Sequence, residues 1–254
     1  MKVLKSTQLL ANIVEVFVYN KEAPLVVWTK VPDYCDTTNL RAQISSQEKE
    51  IADRFHFRRD YNSFVVAHSL KRQLLSAIIG VEPSMLFFGK NSYGKPVLIT
   101  PQSMDIQFNL SHTNGLVVVS VAYQTKIGVD VEQVDSKIDT YSLACSYFAK
   151  QEIALLKSLP DDQKRDGFFQ LWTLKEAFVK ADGRGLSTRL DDFHVVDLKE
   201  KNYFFNKWGA KLTNWKAYSF QPTERHHLSV VTECRKGNKH VPTFHEISLG
   251  DIGK

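Results

Sequence analysis

Three acids stand where they could hold one divalent cation: Asp130 and Glu132, two residues apart, and Glu176 further along the chain. Asp130-Val131-Glu132 has strand composition. Strand side chains alternate, so both carboxylates share a face while Val131 enters the core. Two adjacent anions repel unless a cation lies between them or one stays protonated. Hard oxygen ligands favour Mg2+ over softer metals. Alone, such a pair is more often two solvated acids on an exposed strand. Glu176 lies in a segment read as helix from about Asp166 to Ala181. At roughly 100° per residue, Leu171, Leu174, Phe178 and Ala181 form the core stripe. Phe169, Trp172, Thr173 and Lys180 share the side of Glu176. The aromatic residues imply that this second face is covered too. A charged pair among buried aromatics needs a partner such as a metal or a phosphate.

Polar and basic residues upstream complete the set. Asn109-Leu110-Ser111-His112 ends a strand-like run, where a hydroxyl and an imidazole can donate to phosphate. Taken singly, it reads as a capped polar turn. Lys90 precedes the tight turn Tyr93-Gly94-Lys95-Pro96, in which Gly94 allows close backbone approach and Lys95 offers a point charge. The phosphate-cradling G-x-x-x-x-G-K-[ST] loop is absent from the sequence. Three carboxylates with Lys90, Lys95, His112 and Lys180 suit a Mg-bound, multiply phosphorylated ligand.

The elements that must position these residues are legible as an α+β order. Ile13 to Tyr19 and Leu25 to Trp28 have strand composition. Ser45-x-x-Glu48 is a capping box opening a helix to about Phe57, and a second helix runs from about Asp60 to Ile79, stopping at Gly80. Strands are expected at Met85 to Phe88, Pro96 to Ile99, Ile106 to Leu110, Leu116 to Tyr123 and Lys126 to Glu132. A helix at Lys150 to Ser158 precedes the Glu176 helix, which ends at Asp182-Gly183. Strands at Phe193 to Leu198, Trp215 to Phe220 and Leu228 to Cys234 follow, and Arg235 to Lys239 reads as a surface loop.

A shift of 104 positions lays Ser45-x-x-Glu48 on Ala149-x-x-Glu152, Phe64 on Phe168, Leu70 on Leu174, Lys71 on Lys175 and Arg72 on Glu176. Chance similarity of helix-helix-strand order explains this as well as a true repeat does. A true repeat predicts two similar α+β halves, residues 1–124 and 125–254. Arg72 and Glu176 would then face a shared cleft from opposite sides.

Composition narrows the classes. Hydrophobic residues make up 43% of 254, enough for a sizeable core. The formal charge of +5 favours an anionic partner without naming it. Neither a nucleic-acid motif nor a dense Lys/Arg stripe is present, so nucleic acid ranks last as a partner. Three widely spaced cysteines, with no C-x-x-C pair, support neither a zinc nor a redox motif and fit a reducing compartment. Ser6, Thr7, Gln8, Asn12 and Glu15 interrupt the N-terminal apolar stretch, which argues against a signal peptide. Apolar runs are strand-sized, far below the ~20 residues of a spanning helix. The expectation is a cytoplasmic protein with no membrane partner.

The motifs also resemble a family. Ile127-Gly128-Val129-Asp130-Val131-Glu132 is similar to the G-[IV]-D-[IVL]-E motif of the phosphopantetheinyl transferases. Trp172-Thr173-Leu174-Lys175-Glu176-Ala177-Phe178-Val179-Lys180 is similar to their W-x-x-K-E-[AS]-x-x-K motif, and Gly183-Arg184-Gly185-Leu186 continues the match. Gly94-Lys95-Pro96 and Phe108-Asn109-Leu110-Ser111-His112 resemble two further motifs in the right order. The length resembles the monomeric two-half type that activates surfactin synthetase. The resemblance implies a pseudo-twofold α+β fold with its active site where the halves meet. It implies transfer of phosphopantetheine from coenzyme A to a serine of an acyl or peptidyl carrier protein. Asp130, Glu132 and Glu176 match its magnesium ligands, and Glu176 its proposed base. Lys180 and His112 match contacts to the coenzyme A phosphates. Lys90, Gly94, Lys95, Pro96, Asn109 and Ser111 fall at the nucleotide end, in the N-terminal half. Two departures stand out. Ile51 occupies a place where the family often has a basic residue, and Ala149 replaces a capping serine.

Overall fold

The first element is a helix where Ile13 to Tyr19 had suggested a strand. In the structure, a computed structural model, α1 (Ser6–Tyr19) buries Leu10, Ile13, Val14 and Phe17 while Val16, Val18 and Tyr19 stay exposed. Burial at i, i+3, i+4 and i+7 is the helical period, and it outweighs the β-branched composition. The residues described are 6–21, 23–99, 105–196, 203–207, 209–234 and 241–252.

After α1 come β1 (Leu25–Lys30), α2 (Thr38–Gln43), α3 (Ser46–Ala52) and α4 (Arg58–Ile79). β2 (Phe88–Lys90), β3 (Pro96–Leu98), β4 (Ile106–Thr113), β5 (Leu116–Tyr123) and β6 (Ile127–Gln133) follow. Next are α5 (Thr140–Tyr147), α6 (Lys150–Ser158) and α7 (Asp161–Asp182). The chain continues through β7 (Phe193–Val196), β8 (Phe204–Lys207), β9 (Ala210–Lys211), β10 (Trp215–Thr223), β11 (His226–Glu233) and β12 (Thr243–Glu246). α2, α5, β8, β9 and β12 were not anticipated. α3 stops at Ala52 rather than near Phe57, and α7 begins at Asp161 rather than near Asp166. The strand expected at Met85 to Phe88 is instead a 3-10 turn, Pro83–Met85, leading into β2. The loop read at Arg235 to Lys239 lies outside the described residues.

Two compact units divide the chain. The first is Met1–Gly89, Pro96–Gln124 and His240–Lys254. Its sheet has the order β12-β1-β5-β4, with β12 parallel to β1 and the other pairs antiparallel. α4 packs on β4 and β5, and α1 packs beside α4. Leu70, Leu74, Leu25, Val27, Val117, Val119 and Val121 join in the core between them.

The second unit is Lys90–Lys95 and Thr125–Lys239. Its main sheet has the order β10-β11-β6, all antiparallel, with α7 packed on β6 and β11. A smaller sheet, β7-β8-β9, packs Phe193 and Phe205 against Phe178 of α7.

The two units have similar architecture, as the 104-residue shift suggested. The order β4-β5-β1 in one unit matches β10-β11-β6 in the other. Each triplet lies under a 22-residue helix that ends at a left-handed glycine, Gly80 or Gly183. A short helix precedes each long one and bonds to it through a buried glutamate. The fold is therefore α+β with two similar halves.

Candidate active site

α7 is built to a recognisable plan. Asp161 and Asp162 occupy the first turn and Lys180 the last, which complements the helix dipole. Leu171, Leu174, Phe178 and Ala181 are buried, as the core stripe requires. The other side is covered as expected. Phe169 is buried, and Trp172 meets Phe168, Phe148 and Tyr147.

Lys175 fixes the helix. Its ammonium donates to both oxygens of Glu152, at 2.9 and 2.7 Å, and to the Phe193 carbonyl at 2.7 Å. Glu152 also accepts from the Ala149 and Val195 amides. Both side chains are fully buried, and every bonding site that burial would leave orphaned has a partner.

β6 meets α7 at unusually short range. A Cβ on Gly128 would run into the Ala177 carbonyl and Ala181 amide and stand 2.9 Å from Ala181 Cα. Only glycine fits there. Two residues on, Asp130 is buried and accepts from Lys180 Nζ at 2.6 Å. Val131 is buried on the opposite side, so the strand alternation holds. Glu132 is half-buried on the Asp130 face, in register with His227 of β11. Glu176 is half-buried one turn before Lys180. Burial raises its carboxyl above the ordinary value; the nearby Asp130 charge adds to this, and Lys180 opposes it. Asp130, Glu176 and Lys180 thus form one electrostatic cluster, with Glu132 beside it on the strand.

The sequence also matches known proteins. Residues 126–231 match the model described as "4'-phosphopantetheinyl transferase superfamily". Residues 28–124 match "4'-phosphopantetheinyl transferase, N-terminal". The chain belongs to this superfamily. It is 38% identical over 159 residues to 4'-phosphopantetheinyl transferase HetI of Nostoc sp., an alignment covering 62% of this chain and 67% of that one. It is 33% identical to a 4'-phosphopantetheinyl transferase of Bacillus subtilis, covering 61% and 67%. It is 31% identical to a putative 4'-phosphopantetheinyl transferase of Synechocystis sp., covering 76% and 78%. The reaction is transfer of phosphopantetheine from coenzyme A to a carrier-protein serine. No helix among the described residues is long and apolar enough to cross a membrane.

The remaining residues that the transferase motifs single out lie as follows. Asn109 and Ser111 are buried on β4, in register with Ser120 and Val118, and His112 is half-buried opposite Val117. Lys90 is exposed at the end of β2, and Pro96 opens β3. Gly94 has φ +89°, the left-handed conformation its turn needs. Lys95 is turned inward. Its ammonium donates to the Ile127 carbonyl at 3.1 Å and the Ala181 carbonyl at 3.4 Å. Burial lowers its pKa to about 8; the Lys126 charge adds to this and Asp182 opposes it.

Sequence reasoning missed several supporting residues. The Glu152–Lys175 pair had a signal: its 23-residue spacing recurs in Glu48–Lys71. Asn91 bonds Gly183 through its side chain and was legible only as a turn former. Thr173, bonded to Ser229 at 2.8 Å beneath the cluster, gave no signal beyond its helix face.

Proposed function

We propose that Asp130, Glu132 and Glu176 hold Mg2+ against the coenzyme A diphosphate while Glu176 serves as base for the carrier serine. The observation that carries this reading is the ion pair of buried Asp130 with half-buried Lys180 beside Glu176, whose carboxyl is raised above its ordinary pKa by burial, all on two packed elements. The donor set fits the ion. All three ligands are hard oxygens, and the mutual repulsion of Asp130 and Glu176 is what a divalent cation relieves. Among the described residues no three such side chains already converge as a ligand set, and one Asp130 oxygen is held by Lys180. When bound, Mg2+ would neutralise diphosphate charge and make the phosphorus more electrophilic.

The chain's own groups carry the remaining steps. Glu176 takes the serine proton. The serine oxygen attacks the phosphorus attached to pantetheine, and the bond to the bridging diphosphate oxygen breaks. That oxygen keeps the electron pair and departs with 3',5'-ADP. Lys180 offsets the charge that develops on the diphosphate. By resemblance, His112 contacts the phosphates, and Lys90, Gly94, Pro96, Asn109 and Ser111 hold the nucleotide end. This gives residues 1–124 the nucleotide contacts and residues 125–254 the metal and base. The enzyme acts as a cytoplasmic monomer on an acidic acyl or peptidyl carrier, steered by its net +5 charge.

The test is mass spectrometry of an apo carrier incubated with coenzyme A. The phosphopantetheine mass appears with Mg2+ and not with excess chelator; equal rates in both would overturn the metal assignment. The rate also falls as salt rises, and a salt-independent rate defeats the steering argument.

A further inference from the structure

We propose that Lys95 is a positioning residue whose side chain staples the start of β6 to the last turn of α7, holding Asp130 against Lys180. The bonds are direct: Lys95 Nζ donates to Ile127 O at 3.1 Å and to Ala181 O at 3.4 Å. Ala181 is among the last four residues of its helix, whose carbonyls have no partner within the helix. A cation there satisfies the carbonyl and complements the helix dipole. Ile127 stands three residues before Asp130, and Ala181 directly follows Lys180. The staple therefore ties both site-bearing elements close to the ion pair they make.

The turn that carries Lys95 is itself fixed to α7. Asn91 accepts from the Tyr93 and Lys95 amides through Oδ1 and donates through Nδ2 to Gly183 O at 2.9 Å. The Lys95 chain runs along Gly183, where an added Cβ would stand 3.2 Å from Lys95 Cδ. Gly183 thus leaves room for this passage, and its φ of +80° favours glycine there. An amine whose bonds go to two backbone carbonyls is poorly placed to be a solvent-facing phosphate clamp.

This role rests on the active-site reading above and deepens it. Small displacements of reacting groups cost roughly 10²-fold per ångström in rate. Steady-state kinetics with coenzyme A and an apo carrier separate the two roles of Lys95. For a staple, Lys95→Met lowers kcat about tenfold and leaves KM for coenzyme A within about twofold. For a phosphate contact, Lys95→Met raises that KM about tenfold at wild-type kcat, which would overturn the proposal. Asn91→Ala, at the partly exposed turn, is expected to show the same kcat loss and covers the case in which Lys95→Met does not fold. Asp130→Ala is run alongside. Lost turnover there with wild-type kinetics in both turn variants refutes the staple and leaves the site standing. Retained turnover in Asp130→Ala refutes the site reading itself.

Discussion

In the N-terminal half, Glu48 of α3 accepts from Lys71 and Arg72 of α4, each at 2.7 Å, and from the Ser45 amide. In the C-terminal half, Glu152 of α6 accepts from Lys175 of α7 and from the Ala149 amide. The device is the same: a buried glutamate at the third position of a short helix clasps a buried lysine on the long one. The halves part company at the next residue. Arg72 turns to Glu48 and to the Pro83 and Leu86 carbonyls, so it anchors the segment that leads into β2. Glu176 instead lies near Asp130 and Lys180. The strands differ in step. β1 presents Leu25 and Val27 to its helix, where β6 presents Gly128 and Asp130. A scaffold residue in one half corresponds to the proposed base in the other, and the clasp beside it is kept in both.

The sharpest way to probe this comparison is to break the two clasps. Lys175→Met leaves Glu152 buried without a cation and is expected to cost about 3–5 kcal/mol. Lys71→Met leaves Glu48 with Arg72 and should cost less, about 1–2 kcal/mol. Urea denaturation measures both, and equal losses would mean that Arg72 does not share the hold on Glu48. Next in size is Gly128→Ala, which drives a methyl into the α7 backbone and should cost about 1–3 kcal/mol with loss of transfer activity. Smaller still are the caps. Ser45 accepts from the Glu48 amide, whereas Ala149 offers no side-chain oxygen. Ser45→Ala should destabilise by about 1 kcal/mol and Ala149→Ser stabilise by up to a similar amount. A separate effect is one of pH. Lys95 has a folded pKa of about 8, below its unfolded value. Between those two values the unfolded chain binds more protons, so stability rises with pH. Melting curves of Lys95→Met should lack this contribution to the rise.

Much of this was legible in sequence because the signals were local. The capping box at Ser45, the glycine stops at Gly80 and Gly183, and the apolar run of β5 each follow from a few neighbouring residues. Strand alternation and helix phase made legible that Asp130 and Glu132 lie on one strand and Glu176 one turn before Lys180 on a helix. Their roles as ligands and base stay proposals. α1 was misread because its β-branched residues mask a 3.6-residue period. α2 and α5 are too short to show a periodic pattern, and β12 finds β1 from the far end of the chain. The turn toward Lys95 was hidden for another reason. Its partners are backbone carbonyls, which every residue has, so no residue type announces them.

The central claim is that chemistry resides in the acids of the second half. Its most direct test is the initial rate of phosphopantetheine addition to an apo carrier by Glu176→Gln, followed by mass spectrometry and paired with a melting curve. The expected result is a rate at least ~10²-fold below wild type in a protein that still folds. A folded Glu176→Gln enzyme that modifies the carrier at the wild-type rate would contradict the account.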